Sequence, residues 1–463
     1  MKTYTSFWLL VTIPIFGAAM IAATCPAAAA SLNVTNDGAD SVTCGSQTNP
    51  CRSISQAIEN ASDGDTIEVG AGHYGNVSGD PNFAGPGDEH PQHFDGVVYS
   101  GCIVCITKAL RIFSVHGAAV TVIEGIPSVQ FSSNVMIRHD GVIFGREVGG
   151  FTLTGGNQNG LVLDQDLHGS TFGILLQHNV VVAGNVDLGD QNGFVFHGLG
   201  LVDVQCPDPS CAATAQIIFS SNQAINNSGG GFSVTVNLFH GGPITLQDNL
   251  ASGGGSGFDV EAGFQNEGLE AVFAGNVQVV GNVAIHNSIG FTADVPGRIV
   301  GNTAAGNSQF GFLVVPGGAS FQDNSAIGND GPGAIIQFSQ DATNNAPIPR
   351  FQTFTQNNFY GNDRNRPVLS IAPALSSNAN YNPGPSAHCG VLNLGALAVA
   401  VGPNAGGIPP IINLAAAGNF WGSAQGPQVS GSGDAVGGVC DQNGGVTQAK
   451  PFAIIPFGIT SWP

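Results

Sequence analysis

Basic residues are scarce in this chain, whose 463 residues include 11 lysines and arginines against 31 aspartates and glutamates. The resulting net charge of −20 argues against nucleic acid as a partner, because phosphates are neutralised by a basic protein face. The same charge disfavours anionic membrane surfaces. An acidic polysaccharide would reach such a protein only through a bridging cation.

Long runs of helix-forming residues are also missing. Glycine accounts for 68 residues, and hydrophobic residues make up 42% of the chain, which disfavours disorder. A chain rich in Gly, Asn and β-forming residues is predicted to contain many short strands joined by tight turns. Beyond the first thirty residues, no apolar run is long enough to span a bilayer.

The first thirty residues have the pattern of a signal peptide. Lys2 provides a basic start, residues 7–23 are apolar, and three alanines at 28–30 form a small-residue cleavage site. The alternative is a membrane anchor, for which the apolar stretch is short. We therefore expect residues 1–30 to be removed and the protein to be secreted, periplasmic or displayed at the cell surface.

Removing that leader leaves eight of the nine cysteines, most of them in close pairs. An even number in an exported chain indicates disulfides. Zinc is the alternative for the Cys102-x-x-Cys105 pair, although a second close Cys/His pair is missing. The residues expected in disulfides are Cys44, Cys51, Cys102, Cys105, Cys206, Cys211, Cys389 and Cys440.

A short pattern recurs along the chain. In "GNTAAGNSQFGFLVV" (301–315), Asn302 is followed five residues later by Asn307, and then by Gly311-Phe312. The same Asn pair occurs at 222 and 227, 282 and 287, 324 and 329, and 357 and 362. A glycine followed by an apolar residue occurs at Gly150, Gly173, Gly193, Gly231, Gly257, Gly290, Gly311 and Gly333.

Repetition at about 20 to 23 residues predicts a solenoid, and the alternation after each glycine has the period of a strand. We predict coils of two or three short strands, with stacked asparagines in a hydrogen-bonded ladder. Asn is expected to adopt the left-handed conformation at the turn, Gly to turn the backbone tightly, and Phe to stack inward. An irregular β-sandwich is the alternative. In "RSISQAIENASDGDTIEV", Ser53 can cap a short helix that closes the N-terminal end.

The segments "NPCRSISQAIENASDGDTIEVGAGHY", "ITKALRIFSVHGAAVTVIEG" and "GNFWGSAQGP", with the Asn and Gly-Phe repeats between them, resemble the pectate-lyase-like superfamily. That resemblance implies an all-β, single-stranded right-handed parallel β-helix of about ten coils. The cap and first coil would occupy 31–75 and the β-helix 76–463, with inserted loops at about 77–100, 203–213 and 366–410. The superfamily includes polysaccharide lyases, glycoside hydrolases, uronate epimerases and adhesins, so fold alone assigns no activity.

The best-known catalytic motifs of that superfamily are missing. We find neither the Asn-Thr-Asp, Asp-Asp, Gly-His-Gly and Arg-Ile-Lys set of the pectin hydrolases nor the Asp-Pro-His-Asp of the alginate epimerases. The lyases combine calcium-binding carboxylates with a nearby Arg or Lys base. In this chain, only three lysines and eight arginines are available as such a base.

Alternate residues after each Gly-apolar step are predicted to face outward. The first such column is predicted to run from Thr152 to Ile335, and the second from Thr154 to Gln337. Asp259, Glu261 and Asp294 then cluster on adjacent coils about 4.8 Å apart. They are candidate catalytic or calcium-binding residues, with His197 or Arg298 assisting. The alternative is an ordinary solvated acidic face.

Two further acidic and histidine-containing segments are weaker candidates. "GDEHPQHFD" could hold a divalent metal through Asp88, Glu89, His90, His93 and Asp95. "LDQDLHG" offers Asp164, Asp166 and His168. A solvated loop and an Asp-rich turn, respectively, are the structural alternatives.

Three functions are compatible with these observations. The first is an exported β-helix protein that interacts with a glycan. Calcium is its candidate cofactor. The second is a polysaccharide lyase or glycoside hydrolase acting through the outward carboxylates. The third is a purely structural or adhesive surface protein. The enzyme requires the three carboxylates to converge in a cleft, whereas a flat acidic face favours the third function.

Overall fold

The structure of the chain is a computed structural model. It describes residues 29–75, 85–93, 101–126, 133–139, 141–156, 158–163, 180–197, 216–236, 244–262, 277–295, 297–315, 319–338, 351–365, 388–396, 412–427, 434–437, 440–441 and 445–458. The predicted signal peptide up to residue 28 and the Cys206–Cys211 segment lie outside these ranges.

Three long sheets of ten or eleven strands form the molecule, and nearly all neighbouring strands in them are parallel. Sheet 1 contains β1 (Ser31–Val34), β2 (Thr66–Val69), β6 (Arg111–Ser114), β9 (Ile143–Gly145), β12 (Val180–Ala183), β15 (Ile217–Ser220), β18 (Ile244–Gln247), β21 (Val277–Val280), β24 (Gly297–Val300), β27 (Ser320–Gln322) and β30 (Thr353–Thr355).

Sheet 2 contains β3 (Gly72–Tyr74), β7 (Thr121–Glu124), β10 (Thr152–Thr154), β13 (Val186–Leu188), β16 (Gln223–Ile225), β19 (Leu250–Ser252), β22 (Val283–Ile285), β25 (Thr303–Ala305), β28 (Ser325–Ile327) and β31 (Asn358–Tyr360).

Sheet 3 contains β4 (Gln92–His93), β5 (Gly101–Ile106), β8 (Ser133–Ile137), β11 (Asn159–Leu163), β14 (Asn192–His197), β17 (Gly230–Val236), β20 (Ser256–Ala262), β23 (Ile289–Asp294), β26 (Phe310–Val314), β29 (Ala334–Phe338) and β32 (Val391–Ala396). Its first strand, β4, pairs antiparallel with β5. A separate two-stranded sheet joins β33 (Ile412–Ala415) to β34 (Gly445–Gln448).

Each coil contributes one strand to each sheet, as β15, β16 and β17 do, so every third strand is a neighbour in space. The predicted parallel β-helix solenoid is confirmed, with three strands in each coil. One prediction of register is wrong: Gly150-Phe151 leads into β10 of sheet 2. In that coil the strand equivalent to β17 is β11, whose Leu161 pairs with Phe194. Gly150-Phe151-Thr152-Leu153 has the same alternation as the glycine-led strands of sheet 3, so periodicity alone did not reveal that it belongs to sheet 2. Gly173 lies outside the described residues.

Two asparagine ladders run along the corners of the solenoid. At the corner between sheets 1 and 2, the backbone N–H and Nδ2 of each Asn donate to the Oδ1 of the Asn in the next coil; its members are Asn185, Asn222, Asn249, Asn282, Asn302, Asn324, Asn357 and Asn419. At the corner between sheets 2 and 3, a second ladder runs through Asn287, Asn307, Asn329 and Asn362 and ends on the Asp434 carboxyl. The repeated pair therefore forms two corners of each coil, where the sequence predicted one.

The left-handed residue at each corner precedes the ladder asparagine. Gly301 has a φ of 70° before Asn302, and Gly306 has a φ of 61° before Asn307. The expectation that the ladder asparagines themselves adopt this conformation is wrong. The Asn side chain at the corner supplies hydrogen bonds, and the preceding residue supplies the turn.

The glycine before each inward phenylalanine is needed because the next coil approaches its Cα too closely to leave room for a side chain. Gly257 has no positive φ, but a Cβ there would lie 2.5 Å from the oxygen of Gly290 and 2.8 Å from Ala284 Cβ. The predicted Phe stack is confirmed, with centroid distances of 4.7 to 5.0 Å between successive rings of Phe194, Phe232, Phe258, Phe291 and Phe312.

The N-terminal end is closed by the expected helix, α1 (Ile54–Asn60), whose cap Ser53 accepts a hydrogen bond from Gln56 N. A residue that is distant in sequence also caps the N-terminus of α1. Buried Glu89 accepts hydrogen bonds from the N–H groups of Ile54 and Ser55 and from the Ser55 hydroxyl. The first helical turn has unpaired N–H groups, and this carboxylate satisfies two of them.

Three of the expected cysteine pairs are disulfides: Cys44–Cys51, Cys102–Cys105 and Cys389–Cys440. Cys102 and Cys105 therefore form a disulfide and not the alternative zinc site. Cys206 and Cys211 lie outside the described residues. Within the described part of the chain, no helix is long and apolar enough to cross a bilayer.

Candidate functional site

The outward face of sheet 3 changes character along the solenoid. One column of outward positions, fixed by strand register, consists of Cys105, Met136, Val162, Val195, Ser233, Asp259, Thr292, Leu313, Ile335 and Leu392. The members at both ends are apolar, and all of them except the partly exposed Leu313 are almost fully buried. Ser233, Asp259 and Thr292 are polar and partly exposed. We call these three residues the polar stretch.

A second outward column lies beside the polar stretch and carries more carboxylates. The strand register aligns His197 with Thr235, Thr235 with Glu261, and Glu261 with Asp294. Glu261 and Asp294 therefore occupy directly neighbouring coils, as the sequence predicted. Glu261 is exposed and Asp294 is partly exposed. Neighbouring parallel strands are about 4.8 Å apart, so the three carboxylates form an acidic face on two adjacent strands, β20 and β23.

Asp259 is less exposed than its strand neighbour Glu261. Burial, with a smaller contribution from the nearby Glu261 carboxylate, raises the pKa of Asp259 to about 6. Asp259 lies two residues before Glu261 on the same strand, so both side chains point outward from β20. One carboxyl of the pair is thus held toward its protonated form beside an exposed partner. Such a difference is typical of acid and base pairs in active sites.

The two predicted assisting residues lie in different places. His197 aligns with Thr235, two strands from Glu261, and only its backbone is described. Arg298 lies on β24 of sheet 1, exposed and aligned with Gln278 and Ser320. Arg298 therefore does not share the outward face of sheet 3 with the carboxylates.

The hydroxyl residues of the face were in the predicted columns but were not singled out as site residues. Ser233 and Thr292 flank Asp259 on the neighbouring strands. The signal that identifies them is the contrast with the apolar members of the same column. That contrast needs both the correct register and the burial of Val195 and Ile335.

The weaker candidate segments have other roles or cannot be placed. Glu89 caps α1, Asp88 accepts a hydrogen bond from Gly85 N, and His90 lies 3.4 Å from the Asp40 carboxylate. The side chain of His93 and all of Asp95 lie outside the described residues. So do Asp164, Asp166 and His168.

The outward carboxylates of sheet 3 were also predicted as candidate calcium ligands. Within the described ranges, no three His, Cys, Asp or Glu side chains are arranged to hold a metal ion. Asp259, Glu261 and Asp294 therefore do not form a closed protein site. A calcium ion shared between these carboxylates and an acidic polysaccharide stays a prediction.

Comparison of the chain with protein-family models, curated proteins and solved structures finds no match in any of the three.

Proposed function

We propose that this chain is an exported protein of the pectate-lyase-like superfamily that binds polysaccharide along the outward face of sheet 3. The observation that supports the proposal is the polar stretch, which interrupts a column of apolar residues that are nearly all buried. The signal-peptide pattern at 1–30 supports export to the cell surface or beyond.

The chemistry of this face suits sugar hydroxyls. The carboxylates of Glu261 and Asp294 accept hydrogen bonds, and the hydroxyls of Ser233, Thr235 and Thr292 both donate and accept. These groups stand on adjacent strands of one rigid sheet, so little entropy is lost when a ligand fixes them. An extended polymer could therefore contact several coils at once, and calcium would bridge to it if it were acidic.

Binding is tested by affinity electrophoresis of the mature protein through gels that contain neutral or acidic polysaccharides, with and without Ca²⁺. We expect at least one polymer to retard the protein. A variant with Asp259→Asn and Glu261→Gln should bind that polymer at least about tenfold more weakly, because hydrogen bonds to charged groups are lost.

The matched control carries Asp248→Asn and Glu147→Gln, which change two exposed carboxylates outside sheet 3. It should bind as the wild type does. Equal weakening in both variants would show that net charge is responsible and would contradict the proposed site. An absence of binding to every polymer would favour a structural or adhesive role.

A second candidate function is hydrolysis of a glycosidic bond, and the raised pKa of Asp259 is the observation that favours it. A carboxyl with a pKa of about 6 can serve as general acid at mildly acidic pH, while an ionised carboxylate nearby serves as nucleophile or base. Glu261 and Asp294 are the candidates for that partner.

The pH dependence of polymer shortening tests this second candidate. A protonated Asp259 is required, so activity should be lost as pH rises through about 6. Polymer length is followed by size-exclusion chromatography between pH 4 and pH 8. Asp259→Asn should abolish shortening, whereas Asp248→Asn should not. Shortening that persists unchanged in Asp259→Asn would assign any hydrolysis to other residues.

A further inference from the structure

One inward position of the solenoid carries a carboxyl group where the following coils have alanine. Asp187 of β13 aligns with Ala224, and alanine recurs at this position in the next four coils. The Asp187 side chain is fully buried. An ionised carboxyl in such an interior is strongly disfavoured unless a cation or hydrogen bonds compensate for the lost water.

A second buried acid interacts with Asp187. The Oδ1 of Asp190, three residues further along the chain, accepts a hydrogen bond from Gly156 N at 2.8 Å, as a ladder asparagine would. The side chains of Asp187 and Asp190 also form a hydrogen bond with each other. Two ionised carboxylates are both acceptors and have no hydrogen to donate, so this contact requires a proton on one of them.

No other donor at this corner takes the place of that proton. If both acids were ionised, both oxygens of Asp187 and the Oδ2 of Asp190 would have no donor of good geometry within the described part of the chain. The amide of Asn227 interacts with Asp187, but its Nδ2 does not reach full hydrogen-bond geometry. Buried polar atoms are normally paired, so a protonated carboxyl accounts best for these oxygens.

The packing around the two carboxyls is close. A Cβ on Gly160 would lie 1.8 Å from Asp187 Oδ1, and a Cβ on Gly156 would lie 3.0 Å from Asp190 Oδ2. The glycine backbones of the neighbouring strands therefore lie directly against the acids. Such contact leaves a proton as the species that can neutralise one of the two charges.

Few other titratable groups lie near this pair. Of the nine strands β9 to β17, which form this coil and its two neighbours, only β13 and β14 contain a titratable residue; these are Asp187 and, at the last position of β14, His197. The exposed Arg146 and Glu147 lie in the turn before β10. None of these other groups is among those that shift the pKa of Asp187 or Asp190.

The two acids differ in their hold on the proton. Burial is the largest cause that raises the pKa of each carboxyl. The Asp190 carboxyl raises the pKa of Asp187 further, whereas the hydrogen bond from Asp187 opposes the rise at Asp190. Asp187 is therefore the group that keeps the proton, and Asp190 is the acceptor.

We propose that Asp187 is protonated at neutral pH and donates its O–H to Asp190 Oδ2, so that this coil forms a pH-sensitive joint inside the solenoid. In the protonated form Asp190 carries the only charge of the pair, and it accepts hydrogen bonds from Gly156 N and the Asp187 hydroxyl. Loss of the proton to solvent leaves two like charges in an interior of low dielectric constant, where they repel strongly. The corner between sheets 2 and 3 is then destabilised at β13, independently of the outward face of sheet 3.

The sign of the pH dependence follows from this arrangement. The folded protein keeps a proton on Asp187 that the unfolded chain releases near the ordinary pKa of 3.8. The stabilisation is complete below that pH and is lost as pH rises toward the raised pKa of the folded state. Within this window each pH unit should raise the unfolding equilibrium constant about tenfold, because unfolding releases one proton.

The test compares the wild-type mature protein with Asp187→Asn, whose amide can donate to Asp190 but cannot ionise. Urea unfolding is measured at intervals between pH 5 and pH 7. The unfolding equilibrium constant of the wild type, divided by that of Asp187→Asn, should rise about tenfold per pH unit. The same ratio taken with Asp248→Asn, at an exposed corner position, should not change with pH.

Infrared spectroscopy of the folded proteins provides a second measurement. At pH 7 the wild type should show the C=O stretching band of one more protonated carboxylic acid than Asp187→Asn does. If Asp187→Asn does not fold, Asp187→Ala with Asp190→Asn replaces it, because the next coil carries Ala224 and Asn227 at these positions. A ratio of unfolding constants that is independent of pH, or identical carboxylic acid bands in the two proteins, would overturn the proposal.

Discussion

Asn302→Ala is expected to lower the free energy of unfolding by about 3 kcal/mol or more. The Asn302 side chain is fully buried and makes four hydrogen bonds in the first ladder. Its Nδ2 donates to Val279 O at 2.7 Å and to Asn324 Oδ1 at 3.0 Å. Its Oδ1 accepts from the backbone N–H and the Nδ2 of Asn282.

Alanine would leave these buried groups without partners, because the coil interior admits no replacement donor or acceptor. Each orphaned group costs about 1 to 3 kcal/mol, and that cost exceeds the net value of the hydrogen bonds themselves. Urea unfolding followed by circular dichroism measures the effect. Arg298→Ala, at an exposed position of the preceding strand, is the control and should change stability by no more than about 0.5 kcal/mol. Equal urea midpoints for the two variants would show that the ladder contributes little.

Phe258→Ala is expected to cost about 3 to 5 kcal/mol, since it empties the middle of the aromatic stack. The Phe258 ring is fully buried and lies 4.7 Å from the centroids of both Phe232 and Phe291, nearly parallel to each. The substitution removes apolar burial and two stacking contacts, and it leaves a cavity between two coils.

Phe258→Leu separates these contributions. Leucine retains most of the buried volume but cannot stack, so it should cost clearly less than alanine. Urea unfolding of the three proteins under the same conditions provides the comparison. A Phe258→Ala protein as stable as Phe258→Leu would mean that the neighbouring coils close the cavity without loss.

The features that the sequence predicts correctly are those that repeat locally. The Asn spacing and the strand period after each glycine are sufficient to predict the solenoid and its inward Phe stack. Ser53 and the apolar face that follows it predict α1. In each of these cases the interacting residues are close in sequence or repeat at a fixed interval.

The features that the sequence did not predict depend on registers between distant residues. Glu89 caps α1 from 34 residues away along the chain, and no local pattern marks that contact. Gly150-Phe151 resembles the start of a sheet 3 strand but begins one in sheet 2. No local pattern marks Asp187 as a buried acid. Its position is recognised only when its coil is aligned on Asn185, because Asp187 then pairs with Ala224 of the next coil.

The same limit applies to the candidate site. Column spacing placed Glu261 beside Asp294, and the strand register agrees. Burial could not be derived in this way, although burial is what separates the polar stretch from Val195 and Ile335. Arg298 lies close to Asp294 in sequence, but the corner between them places it on sheet 1.

Carboxyl footprinting is the measurement that tests the proposed binding face most directly. The protein is labelled with a carbodiimide and an amine, with and without a polysaccharide that retards it in gels, and modification at each acid is quantified by mass spectrometry. We expect slower labelling of Asp259, Glu261 and Asp294 in the complex, with Asp248 and Glu147 unchanged. Unaltered labelling of the three acids, or protection confined to Asp248 and Glu147, would contradict it.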